Sequence, residues 1–160
     1  GGIEADCAQL ASEKVDNYRK ITAGEDVFFP DAQETLALLK GKYRLGLFTG
    51  VTRKQVDTLG GFLDFFEMIV AGEEAIRPKP APDTLLRMAR EMGLEPGECA
   101  YVGDMPQDMT LARNAGMAGI GVENRMFSAE ALLAGGAAAV IQTLRELTAL
   151  PLLRGSTKRK

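Results

Sequence analysis

Histidine is absent from the 160-residue chain. That excludes Ser-His and Cys-His catalysis and any imidazole-held metal, so acid–base work falls to carboxylates, lysines or water. Cysteine is scarce. Cys7 and Cys99 both sit in apolar-periodic stretches, which reads as buried thiols in a reducing compartment rather than a disulfide. No apolar run nears the roughly 20 residues of a membrane span, and no stretch reads as a signal peptide. A cytoplasmic protein with no membrane partner is expected. Positive charge is not in excess either: the net charge of -3 implies no general attraction to nucleic acid. The basic stretch Arg154–Lys160 is the exception and reads as a short solvated tail.

What remains is ordinary for a globular protein. Apolar residues make up 46% and charged residues 26%, and the length suffices for one domain with a real core. The sequence opens Gly-Gly rather than with Met, which reads as a cut or a scar. Cys7, Leu10, Ala11, Val15, Tyr18 and Ile21 fall at helical spacing, so residues 4–22 are expected to form an amphipathic helix. "TAGEDVFFP" breaks that pattern as a linker. Asp31 with Glu34 reads as a capping box that opens a helix through Leu36 and Leu39, stopped by Gly41. Four further helices are expected: one capped by Thr52 and Gln55 and ended by Gly60-Gly61, then 82–92, 106–115 and one from Ser128 to Leu133. A last one covers 142–149. Between them lie short apolar strands at 43–49, 67–71, 99–103, 119–122 and 138–141.

Strands that are short, apolar and alternate with helices imply a sheet covered on both faces. The fold class expected is therefore α/β: a doubly wound, mainly parallel, Rossmann-like sheet. In such sheets ligands bind at the carboxyl ends of the strands, so the residues that follow strands carry the functional information. Thr49 and Gly50 end the first strand and offer a hydroxyl and backbone N–H groups to an anion; a plain capping turn explains them equally well. Lys79 lies between two prolines in "RPKPAPD", where its ammonium can meet a phosphate or simply decorate a stiff loop. Asp104 and Asp108 follow the third strand in "YVGDMPQDM". Carboxylates favour a helix N-terminus, and they are also the hard oxygen ligands that Mg²⁺ takes.

The order of these pieces is more specific than any one of them. Thr after one strand, Lys in a Pro-rich loop after the next and GDxxxD after a third resemble the haloacid dehalogenase superfamily of phosphatases. "LGLFTG" is similar to its second motif, "RPKPAPD" to its third and "YVGDMPQD" to its fourth. The likeness extends to "FFPDAQETLALLK" and "LARNAGMAGIGV", covers about residues 25–147, and looks closest to the phosphoglycolate-phosphatase-like branch. It implies a division into a cap remnant and linker (1–24, with residues 4–22 the last cap helix), an α/β core (25–150) and a basic tail (151–160). It also implies roles. Thr49, helped by the backbone of Gly50, would bind the transferring phosphoryl group. Lys79 would contact the same oxygens and orient the nucleophile. Asp104 would ligate Mg²⁺, and Asp108 would support the metal's waters and the lysine. Such a transfer needs positioning and charge neutralisation more than acid–base power.

The family's first motif, a strand followed by DxDGT whose first Asp is the nucleophile, has no counterpart here. "IEADCAQ" has an acid pair without a strand or glycine turn, and "LDFFE" and "GEDVFF" lack the spacing. In the family that strand is central, so its loss would leave a gap or two unpaired edges, and Mg²⁺ on Asp104 alone would bind weakly. Three readings follow, in this order: the carboxyl-terminal portion of a phosphatase, a catalytically dead phosphate-binding or interaction module, and a split enzyme completed by a partner strand or by self-association. The intact parent is expected to be a Mg²⁺-dependent phosphomonoesterase for a small phosphorylated metabolite, with a phosphosugar mutase as the alternative and a dehalogenase behind both. The chain by itself is expected to be inactive.

Overall fold

A computed structural model describes residues 30–154. The chain divides into two units, Gly1–Pro30 and Asp31–Lys160; the account below concerns the second. The helix expected over residues 4–22 lies outside the described residues, as does the tail beyond Arg154.

The described unit alternates helices and parallel strands. Ala32–Lys40 (α1) leads to Gly46–Phe48 (β1), Arg53–Asp57 (α2), Met68–Val70 (β2), Asp83–Glu91 (α3), Ala100–Gly103 (β3), Pro106–Asn114 (α4), Ala118–Val122 (β4), Ala129–Gly135 (α5), Ala139–Ile141 (β5) and Pro151–Arg154 (α6). Helix starts follow local chemistry where the backbone permits it. Thr52 and Gln55 form the expected capping box: Gln55 N–H donates to Thr52 Oγ1 (3.3 Å) and Thr52 N–H to Gln55 Oε1 (3.0 Å). Ser128 Oγ accepts from Ala131 N–H. Asp31 corrects the expectation. An N-cap residue sits in the β region, but Asp31 has φ -99° and ψ 6° and its side chain makes no bond to its own helix. Its Oδ2 accepts instead from Arg145 N–H (2.7 Å), while Glu34 pairs with the Arg145 guanidinium (2.6 Å). The acids of the presumed box thus tie α1 to the short 3₁₀ turn Leu144–Thr148.

The fold is α/β with parallel pairing throughout, and the ladder comes in two pieces. β1 pairs with β2, and β3, β4 and β5 pair in that order. Phe48, Val70, Leu85, Met88, Leu111 and Ala115, from the β1–β2 piece and the helices, form a buried cluster, and Tyr101 of β3 packs against it. Backbone direction alternates along a parallel strand. Thr49 N–H donates to Val70 and the Leu45 carbonyl accepts from Glu67, so Gly46 and Phe48 turn their peptide groups away from β2. Ala118 N–H donates to Cys99, so Ala100 and Val102 turn theirs away from β4. Between these edges lies a cavity of about 680 Å³, lined by Leu45, Gly46 and Phe48 on one side and Ala100, Tyr101 and Val102 on the other. Val102, on the β3 edge of the three-stranded piece, remains 37% exposed. Among the described residues, Tyr101 reaches across: its hydroxyl donates to the Phe48 carbonyl at 3.1 Å.

Candidate functional site

The residues expected to act lie where the strands end. Thr49 immediately follows β1, and its Oγ1 accepts from Val51 N–H at 3.3 Å. The hydroxyl proton is left to donate to an oxygen. The turn it begins is held against the end of β2, where Gly72 N–H donates to the Val51 carbonyl at 2.8 Å. A Cβ on Gly72 would run into the Gly50 carbonyl, so glycine is required there for the two loops to meet.

Lys79 is fixed by its whole surroundings. The Lys79–Pro80 peptide is cis. Gln107 and Asn114, both on α4, donate their side-chain amides to the Lys79 carbonyl (2.7 Å) and the Pro80 carbonyl (3.1 Å). Arg77 pairs with Asp83 at 2.7 Å, and Thr84 Oγ1 accepts from Ile76 N–H at 3.0 Å. So held, the Lys79 ammonium donates to Asp108 Oδ1 at 2.9 Å and to the Tyr101 hydroxyl at 2.7 Å. It also lies 5.0 Å from the Phe48 ring centre and 5.3 Å from that of Tyr101, within the range of cation–π attraction. Burial alone pulls its pKa down, but the Tyr101 oxygen and the Asp108 carboxylate outweigh it and hold the ammonium above its usual value. Tyr101 is shifted upward, chiefly by burial. Lysine and phenol both keep their protons across the neutral range.

Asp108 caps α4. Its Oδ2 accepts from Met105 N–H at 3.2 Å while Oδ1 holds Lys79. The glycine of the GD pair makes room for this carboxylate: a Cβ on Gly103 would lie 2.5 Å from the Asp108 Cβ and 2.6 Å from Oδ2. Asp104 faces a different partner. Asn124, just past β4, donates its side-chain amide to Asp104 Oδ2 at 3.1 Å. Burial first and the neighbouring Asp108 second push the Asp104 carboxyl above its usual pKa. A half-buried carboxylate with a neutral amide as its hydrogen-bond partner, beside a second acid, is a fitting oxygen ligand for one hard cation. Among the described residues no three acidic or cysteine side chains converge on one point. The donor set therefore suits Mg²⁺ held by a single carboxylate with waters and phosphate oxygens completing its shell.

Because the folded-state pKa of Asp104 is raised, the folded chain binds a proton more readily than the unfolded one, and ionisation at neutral pH destabilises it. Asp104→Asn, which keeps an oxygen for Asn124, is expected to raise the melting temperature of the metal-free chain by a few degrees at pH 7. The gain should shrink as pH falls through the raised pKa and vanish below the unfolded value. Thermal melts of both chains from pH 3 to 7 check this.

The structure thus joins Lys79 directly to Asp108, places Phe48 and so the start of the Thr49 turn against the same ammonium, and sets Asp104 beside Asp108. Three contributors were not anticipated from the sequence. Tyr101 reads as a strand residue, and its polar tip gives no local signal. Gln107 reads as helix surface. Asn124 follows a strand in the same way as the other site residues, and that position alone was a signal.

Residues 2–122 match the family model described as haloacid dehalogenase-like hydrolase. The chain belongs to that family. It is 35% identical over 112 residues to phosphoglycolate phosphatase of Escherichia coli strain K12, covering 67% of this chain and 44% of that protein. It is 34% identical over 125 residues to the protein CbbY of Rhodobacter capsulatus, covering 73% and 55%. Among solved structures, a haloacid dehalogenase-type phosphatase from Thermococcus onnurineus matches with a TM-score of 0.70 at 30% identity, covering 81% of this chain and 60% of that one. The chain spans about half the length of the curated relatives it matches. No helix among the described residues is long and apolar enough to cross a membrane.

Proposed function

We propose that this chain carries the phosphate- and metal-binding half of a Mg²⁺-dependent phosphomonoesterase that acts on a small phosphorylated metabolite of the phosphoglycolate kind. The observation that carries the reading is the Lys79 ammonium, pinned at the strand ends by Asp108 and Tyr101 with Asp104 alongside. A cation fixed in advance neutralises developing phosphoryl charge without reorganisation. Thr49 donates its hydroxyl to a phosphoryl oxygen, and Gly50 lends backbone N–H. Asp104 would hold Mg²⁺, with Asp108 supporting its waters, and the metal would supply further charge neutralisation on the phosphate. The substrate class rests on the names of the relatives. The free thiol of Cys99 suits the reducing cytoplasm proposed for it.

The described residues offer no carboxylate on a strand between β1 and β3, and the sequence has no DxDGT. The chain alone is therefore proposed to bind phosphate without turning over an ester. The cavity between the two ladder pieces supports a second element of the reading: an apolar segment adding as one parallel strand there, from a longer form of the protein or from a partner. Binding is tested by calorimetric titration of inorganic phosphate with Mg²⁺ present. Saturable binding is expected, and Lys79→Met should weaken it about tenfold or more, the size of a hydrogen bond to a charged group. Equal binding by both chains would remove Lys79 from the site.

A further inference from the structure

The geometry points to Asn124 as a positioning residue that fixes which oxygen of Asp104 meets the metal; this rests on the metal reading above. The orientation of the Asn124 amide is over-determined. Its Oδ1 accepts from the backbone N–H groups of Met126 (2.7 Å) and Phe127 (2.8 Å). Its Nδ2 faces two acceptors, the Asp104 carbonyl at 3.2 Å and Asp104 Oδ2 at 3.1 Å. A flipped amide would set its NH₂ against two N–H donors and its oxygen against two acceptors, so only one orientation satisfies the network. Asn124 N–H is also engaged, donating to the Phe127 carbonyl at 3.2 Å. The loop after β4 is thereby latched to the loop after β3 through one side chain.

The chemistry of the latch matters. A neutral amide binds Oδ2 and leaves the negative charge of the Asp104 carboxylate in place. A lysine or arginine in the same place would neutralise the carboxylate and compete with a cation. Asn124 holds the ligand still and leaves its charge for the metal, as partners behind a metal ligand do, typically at 10- to 100-fold in affinity.

Its loop-forming and positioning roles can be separated. In Asn124→Ser, a short hydroxyl can still accept a backbone N–H two residues on but cannot reach Asp104. In Asn124→Ala both functions go. Mn²⁺ is the probe, read by water-proton relaxation on the 160-residue chain, with thermal melts alongside and the side-chain amide signal of Asn124 followed by NMR. We expect the amide protons to be protected in the unaltered chain, and Mn²⁺ affinity to fall about 10- to 100-fold in both variants, with the melting temperature lowered only in Asn124→Ala. Unchanged Mn²⁺ affinity in Asn124→Ser, or solvent-averaged amide protons in the unaltered chain, would overturn the role of Asn124 and leave the metal reading standing. No saturable Mn²⁺ binding by the unaltered chain would overturn the metal reading and this inference with it.

Discussion

Lys79→Met is expected to destabilise the chain by about 3–5 kcal/mol, the usual cost of removing one partner from a buried ion pair. The side chains of Lys79 and Asp108 are 20% and 7% exposed. Without the ammonium, the Asp108 carboxylate stays beneath the α4 N-terminus with only the Met105 N–H for company. The second substitution should repair much of the first: in Lys79→Met/Asp108→Asn no charge is left buried, and the double variant should be clearly more stable than Lys79→Met alone. Urea unfolding followed by circular dichroism measures all three. Equal losses in the single and double variants would mean that the pair is not coupled. The pH dependence has a definite sign. The folded pKa of Lys79 lies above its unfolded value, so its contribution is fully present below the unfolded pKa and is lost as pH rises through the folded one. The advantage of the unaltered chain over Lys79→Met should hold across neutral pH and fade only in strong alkali.

Gly103→Ala is expected to damage the fold and the site together. The added Cβ would meet Asp108 at 2.5–2.7 Å, against a side chain held at both oxygens. Overpacking of a filled site costs about 1–3 kcal/mol and occasionally more. Here the strain falls on the ion pair, so loss of phosphate binding should accompany loss of stability. Gly97→Ala is the matched control, since nothing lies within 4 Å of its added Cβ. It should be neutral or stabilising by about 0.4–1 kcal/mol through the unfolded state. If the two alanines behave alike, the close approach of β3 and Asp108 is not what requires Gly103.

Much of this site is legible in the sequence because the fold concentrates it at strand ends. The rule that ligands meet the carboxyl ends of parallel strands picks out Thr49, Lys79, Asp104 and Asp108 with no structure in hand. The family likeness names the fold that the chain adopts. What the sequence hides is partnership across it. Asn124 lies 20 residues from Asp104 and Tyr101 lies 53 from Phe48, and no periodicity links such pairs. The same blindness explains Asp31 and Glu34: the motif was local, but the backbone of Asp31 left the N-cap region and its oxygens found Arg145, 114 residues on. Strand lengths were overestimated for a related reason. "YRLGLFT" reads as one strand, yet only Gly46–Phe48 is in the ladder. Tyr43 instead donates to the Leu153 carbonyl and Arg44 pairs with Glu67. A strand with one neighbour has fewer bonds to extend it. Pro151, suited to a first helical turn, opens the short α6 just before the basic stretch.

Under the proposed function, Lys79, Asp104 and Asp108 belong to a phosphatase site that lacks, in this chain, the group that attacks phosphorus. The most direct test is p-nitrophenyl phosphate hydrolysis by the purified 160-residue chain, with Mg²⁺ and with EDTA, beside an Asp104→Asn sample that reports contaminating phosphatase. The account predicts no turnover above that control. Mg²⁺-dependent turnover that disappears in Asp104→Asn would contradict it, because a nucleophile, carboxylate or water, would then already be at work in this chain.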